Sequence, residues 1–217
     1  MSQQASPTQE SSRIVSLDIL RGFALLGILI MNMISFSMVG ANYMNPMAEG
    51  VIEGAEWYAY VFTQIFANTK FMSLFSVLFG AGIVLFADKI ALKGLSEAKW
   101  HYRRNFWLLL IGLCHAYLIW YGDILVSYAF CSVWLFLFRK WKAKSIFIAS
   151  AVFYLIGAVI TQLAGWSIPY WEASELAELC NSWTPTPELI ANEIAIMRGS
   201  WMEQTPLRVE ISFAMQT

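Results

Sequence analysis

Four stretches of this chain place polar or ionisable side chains at helical spacing within otherwise apolar sequence. The first is Ser16-Leu17-Asp18-Ile19-Leu20-Arg21-Gly22. Asp18 and Arg21 are three apart, so an α-helix sets their opposite charges on one face. Asn32 follows Arg21 by eleven residues, which returns it to that face about 16 Å further along the axis. A cation near one membrane surface with an amide deeper inside suits a ligand that has a phosphate end and a neutral reacting end. The same residues also read as an interfacial ion pair and an amide that joins helices.

The second stretch pairs Arg103-Arg104 with His115, in Gly112-Leu113-Cys114-His115-Ala116. Arg104, Leu108, Ile111 and His115 share one helical face. A histidine at mid-depth can serve as a general base, because imidazole ordinarily titrates near pH ~6.5. A helix–helix hydrogen bond is the structural alternative. The third stretch is Tyr121-Gly122-Asp123. Its carboxylate could orient His115, bind hydroxyls of an acceptor, or cap the helix that follows. The fourth runs from Lys70 through Ser73, Ser76, Gly80 and Gly82. Its small residues let membrane helices approach closely, while Lys70 either snorkels to headgroups or lines a polar cavity.

The elements that carry these residues are membrane spans. The chain is 58% hydrophobic with a mean hydropathy of +0.55, above the soluble range of roughly 45–50% apolar. A bilayer core of about 30 Å needs about 20 mostly apolar residues to cross it as a helix. The regions 19–39, 71–87, 106–121, 124–138 and 146–166 approach that length, which predicts an all-α polytopic membrane protein of about five transmembrane helices. Trp57–Ala67 reads as an amphipathic stretch at the outer interface, separated from the second span by Asn68, Thr69 and Lys70. A re-entrant segment is the alternative there. Gly122-Asp123 leaves room only for a tight hairpin between the third and fourth spans.

The charges orient these spans. Arg13 and Arg21 flank the first. Lys89, Lys93, Lys99, Arg103 and Arg104 lie between the second and third, and Arg139, Lys140, Lys142 and Lys144 between the fourth and fifth. The alternate connections carry Glu49, Glu53, Glu56 and Asp123. By the positive-inside rule the N-terminus is cytoplasmic and the Asp123 turn lies outside. This is the charge pattern of a multi-pass membrane protein. A net charge of -1 and the lack of a basic face beyond the short loops argue against a nucleic-acid partner. The two histidines are far apart and no acidic partner has ligand spacing, so no metal site is expected. No Gly-rich phosphate loop and no serine nucleophile elbow occurs. His101, in the basic loop, reads as solvated.

Residues 1–12 read as a disordered lead, 13–166 as the transmembrane domain, and 167–217 as an acidic, proline-broken extracytoplasmic segment. Within that segment Glu188–Trp201 has amphipathic spacing. The final apolar run leads towards an expected C-terminal domain that this chain does not contain.

In combination these motifs resemble the YeiB-like family of bacterial membrane proteins (domain of unknown function 418). The resemblance runs through the opening from Arg13 to Asn32, Lys70 to Gly82, Arg103-Arg104 with Gly112 to Ala116, Tyr121 to Leu125 with Tyr128-Ala129, and Arg198 to Glu203. That family is distantly similar to transmembrane acyltransferases, including the lysosomal heparan-alpha-glucosaminide acetyltransferase, with which the Leu-Asp-x-x-Arg-Gly opening and Asn32 are shared. The resemblance implies transfer of an acyl group from a cytosolic coenzyme A thioester, such as acetyl-CoA, to an envelope carbohydrate or lipid. The acyl-CoA would be a substrate and not a tightly held cofactor. The lysosomal enzyme's histidine lies in the loop after its first span, but Gly40–Trp57 contains none. Others of the group carry a histidine where this chain has Asn32. Catalysis would therefore rest on His115, with Asp123 orienting it and Asn32 facing the oxyanion, while Arg21, Arg104 and Asp18 hold the donor's anionic end. A small-solute transporter that uses the same charges as a pathway, and a non-catalytic membrane scaffold, are the alternative readings. The bilayer is the expected partner, with a homo-oligomer allowed.

Overall fold

The computed structural model describes residues 14–216, so the lead over 1–12 and Arg13 lie outside it. Regular structure among the described residues is entirely helical. Along the chain run α1 (Val15–Ser37), α2 (Ala55–Phe66), α3 (Lys70–Leu92), α4 (Glu97–Cys114), α5 (Leu125–Leu135), α6 (Ala143–Ser167), α7 (Ala173–Trp183), α8 (Pro187–Met197) and α9 (Trp201–Gln216). A π-helical turn, His115–Ile119, continues α4, and a 3₁₀ turn, Phe136–Phe138, continues α5. Helices satisfy their own backbone groups, which lipid cannot do for them.

Three helical stretches are long and apolar enough to cross a membrane: Val15–Ser37, Ala55–Leu92 and Ala143–Tyr170. Leu125–Phe138 is apolar but shorter, and α4 begins with Glu97, Lys99, Arg103 and Arg104. The chain is thus a polytopic helical membrane protein by length and composition. The second stretch is two helices. Thr69 takes a left-handed φ of 62° between α2 and α3, which breaks the rod where the polar residues interrupt it. Lys70 Nζ donates to the Gln64 carbonyl at 3.0 Å, a cation on the open C-terminal end of α2.

Two antiparallel pairs build the bundle. α1 crosses α3 with Gly27 against Phe71. A Cβ on Gly27 would lie 2.1 Å from the Phe71 ring, so the close approach requires glycine. Further along the pair, Arg21 Nη2 donates to the Leu78 carbonyl at 3.3 Å. The second pair is the α4–α5 hairpin that the short turn dictates. A Cβ on Gly112 would sit 2.8 Å from the Val126 backbone nitrogen. Asn105 Nδ2 donates to the Ala129 carbonyl at 3.0 Å. Ile83, Ala87 and Phe136 form a small buried core with Phe79 packed on it, which joins α3 to the hairpin. Where α4 begins and α5 ends, Arg139 Nε meets Glu97 at 2.8 Å and Lys140 meets it at 3.4 Å, closing the base of the hairpin.

One sequence expectation fails here. His101 is 3% exposed, stacked on Phe136 at 4.2 Å between centroids, with Nε2 3.2 Å from the Ser132 carbonyl. It is a packed hairpin residue and is not solvated. The helix carries it inward because His101, Asn105 and Gly112 lie on the face turned to α5, and all three are buried. Residues 167–216 include α7, α8 and α9; α8 ends at Met197, short of the Trp201 to which the amphipathic spacing ran, and Trp201 opens α9.

Candidate functional site

Two clusters hold most of the chemistry. The first is a cavity of about 470 Å³ between α1, α3, α4 and α5. Arg21 and Arg104 both line it, with Phe75, Phe79, Leu108 and Ile111 among its walls. Arg21 reaches in over Gly82: a Cβ there would lie 2.7 Å from Arg21 Nη2, so the missing side chain gives the guanidinium its room. Asp18 pairs with Arg21 at 3.3 Å from outside the cavity, with 52% of its side chain exposed. Arg104 packs its guanidinium 5.2 Å above the Phe86 ring and is close enough to Arg21 to feel its charge. Among the described residues no acidic side chain lines the cavity. Two cations facing apolar walls, with no carboxylate between them, favour an anion that bears an apolar or neutral extension.

Sequence reasoning missed the polar lining on the hairpin side, namely His101, Asn105, Tyr128 and Ser132. The signal was present in the i, i+4 spacing of His101 and Asn105 ahead of Gly112. Asn105 is 8% exposed and its Oδ1 is buried without a hydrogen bond among the described residues. It is an acceptor that the bundle leaves open. Tyr128 bonds Ser76 at 2.7 Å, tying α5 to α3 beside the cavity.

The second cluster is the turn after α4. His115 Nδ1 lies 2.9 Å from Asp123 Oδ1, with the Asp123 side chain 1% exposed and the His115 side chain 33% exposed. Asp123 Oδ2 accepts from the Val126 backbone N–H at 2.8 Å. The carboxylate therefore meets the imidazole with one oxygen and the first turn of α5 with the other. His115 Nε2 makes no hydrogen bond among the described residues. Trp120 folds over Gly122, where a Cβ would meet its ring at 2.4 Å. It stands 6.4 Å from the His115 ring and 4.7 Å from Phe36 of α1.

The ridge predicted on α4 divides between the clusters. Arg104, Leu108 and Ile111 line the cavity. His115, next along that ridge, starts the π-helical turn. The rod ends with this turn, so its last carbonyls have no partner within the helix, and α9 binds them. Trp201 Nε1 donates to the Leu118 carbonyl at 2.7 Å, Ser212 Oγ to that of Ala116 at 2.9 Å, and Arg208 Nη1 to that of Ile119 at 3.4 Å. Arg208 is 5% exposed. These α9 residues hold the histidine's turn and had no recognisable motif. Asn32 does not line the cavity. It lies on a shallow apolar surface with Gly22, Leu25, Ile28 and Leu29. No group of His, Cys, Asp and Glu among the described residues could hold a metal ion.

Comparison with known proteins places this geometry in a bacterial context. The chain is 38% identical over 162 residues to the uncharacterized protein YxaH of Bacillus subtilis (strain 168), covering 70% of this chain and 39% of that protein. It is 31% identical over 183 residues to the uncharacterized protein YeiB of Escherichia coli (strain K12), covering 83% and 44% respectively. An uncharacterized 39.9 kDa protein in the amylase 3′ region of Bacillus acidopullulyticus is 33% identical over 138 residues. The chain spans less than half the length of each of these relatives. No protein-family model matches the chain, and no solved structure does. The YeiB-like resemblance is thereby supported as homology: this helical membrane protein is a homologue of YxaH and YeiB.

Proposed function

We propose that the chain forms part of a membrane-embedded acyltransferase that takes an acyl group from a cytosolic acyl-CoA and passes it to a hydroxyl or amine of an envelope carbohydrate or lipid. The observation that carries the reading is the His115–Asp123 pair at 2.9 Å, with Nε2 left unbonded. It stands on the same helical rod that presents Arg104 to a cationic cavity. Eleven residues separate Arg104 from His115, about 16 Å at 1.5 Å per residue. That separation suits a donor whose anionic end is remote from its reacting carbonyl.

In this scheme Arg21 and Arg104 hold the donor's phosphates. The acceptor oxygen or nitrogen attacks the thioester carbonyl carbon while His115 Nε2 takes its proton. Asp123 fixes the ring through Nδ1 and steadies the imidazolium that forms. Collapse of the adduct breaks the carbon–sulfur bond, and the proton passes from His115 to the departing thiolate. The scheme assigns Asn32 no step. Any homo-oligomer would leave these groups within one chain.

Purified protein in detergent, given radiolabelled acetyl-CoA and envelope extract, tests the reading. Label should enter the extract, and transfer should fall about 10²–10⁴-fold in His115→Ala at unchanged melting temperature. Solute uptake into proteoliposomes with no covalent transfer would instead assign the charges to a transport pathway. Full activity in His115→Ala would end the acyl-transfer reading.

A further inference from the structure

On one side of α1, Ala24, Gly27, Ile28 and Met31 are buried, and there the helix meets α3. A different side carries Gly22, Leu25, Leu29 and Asn32. These four are three, four and three residues apart, the spacing that lays a seam along a helix for a parallel neighbour. Among the described residues nothing covers that seam: Gly22, Leu25 and Leu29 are exposed and Asn32 is half-buried.

Two observations set the seam apart from a surface made for lipid. Asn32 lies three residues past the middle of the 19–39 stretch, and its side chain makes no hydrogen bond among the described residues. An amide that faces hydrocarbon forgoes the bonds that water would give it, so polar groups at this depth turn to other helices. Gly22 is the second observation. A Cβ there would meet nothing within 4 Å, whereas Gly27 of the same helix lies against the Phe71 ring. A glycine inside a helix is unfavourable beside alanine, and no packing within the chain offsets that at Gly22. Room for a close approach and an open amide on one seam are what a neighbouring membrane helix uses.

A second copy of this chain fits that seam. All copies insert the same way, so a two-fold axis along the membrane normal sets α1 parallel to its copy, with each residue at the depth of its counterpart. Asn32 then meets Asn32. A side-chain amide both donates and accepts, so the two bond reciprocally. Any other helix would have to bring a polar group of its own to that depth.

We infer that the Gly22–Asn32 seam of α1 is a dimerisation surface, where two copies pack α1 on α1. Gly22 lets the helices close, and the Asn32 amides bond to each other across an isologous contact. This surface stands independently of the acyl-transfer reading.

Donor- and acceptor-labelled chains in phosphatidylglycerol–phosphatidylethanolamine vesicles, diluted by adding lipid, test this by energy transfer. Wild type should form a dimer that dissociates on dilution. Asn32→Leu keeps the seam apolar and should weaken the dimer about five- to tenfold, the worth of two hydrogen bonds between membrane helices. Gly22→Leu should weaken it at least about tenfold by holding the helices apart. Its circular dichroism and melting should match wild type, because a single copy has room at that position. Gln162→Leu, on the uncovered α6, should leave the dimer unchanged. Energy transfer at the random level at every dilution would overturn the inference and leave the seam to lipid or to a helix of another protein. A dimer indifferent to both Asn32→Leu and Gly22→Leu, or weakened as much by Gln162→Leu, would overturn it by placing the contact elsewhere.

Discussion

His115 and Asp123 are eight residues apart in sequence and 2.9 Å apart in space, because the π-helical turn and the short connection fold the end of α4 back on the start of α5. The two oxygens of Asp123 do separable work, so two substitutions separate them. Asp123→Ala removes the cap on Val126 and should lower stability by about 1–2 kcal/mol, seen as a lower melting temperature. Asp123→Asn keeps an acceptor for Val126 but loses the negative charge facing the imidazole. It should melt closer to wild type while losing at least about tenfold in acyl transfer. Equal activity in Asn and wild type would remove the orienting role. Gly82 gives the second residue-scale test. Its missing Cβ would lie 2.7 Å from the flexible end of Arg21, so Gly82→Ala can be accommodated by moving that guanidinium. We expect a small change in melting temperature and a several-fold weaker affinity for acyl-CoA, read by equilibrium binding. Unchanged affinity would mean that Arg21 does not hold the ligand.

At the scale of elements, glycines decide which helices touch. Gly112 admits the Val126 backbone and Gly27 admits Phe71, whereas a Cβ on Gly157 of α6 would meet nothing within 4 Å. Gly112→Ala should therefore cost about 1–3 kcal/mol by overpacking, and Gly157→Ala should leave the melting temperature within error. Similar losses in both would contradict the hairpin geometry. The π-helical turn shows the same dependence of one element on another. Its last carbonyls, unpaired where the helix ends, are acceptable in a dry environment only because α9 supplies Trp201, Arg208 and Ser212 as donors. The histidine's position thus depends on a helix 80–100 residues later in the chain, and each of those bonds contributes on the order of 0.6 kcal/mol in a membrane protein.

Across the whole molecule the dominant feature is how little apolar surface is covered. α6 has no buried residue, and large apolar side chains line the outside of most helices. In lipid such exposure carries no hydrophobic cost, so packing, close backbone approach and polar contacts hold the bundle together. We propose the orientation with the lysine- and arginine-rich connections inside, and Cys180 tests it. It is a free, exposed thiol in α7, on the side assigned to the exterior. A membrane-impermeant maleimide should label it in intact cells stripped of their outer barrier. Labelling only after the inner membrane is opened would reverse the assigned topology.

Sequence alone determined the helical membrane class, the break near Thr69 and the tight turn at Gly122-Asp123. Each follows from local composition or from the 3.6-residue period, and those are properties of a single segment. Only tertiary structure decided that Arg21 and Arg104 meet in one cavity while Asn32 does not line it. It also turned His101 from an expected solvated residue into a buried one. Those outcomes depend on which helix lies opposite. That choice is made by glycine gaps, a π-helical turn and donors on α9, whose effect exists only once the segments are together.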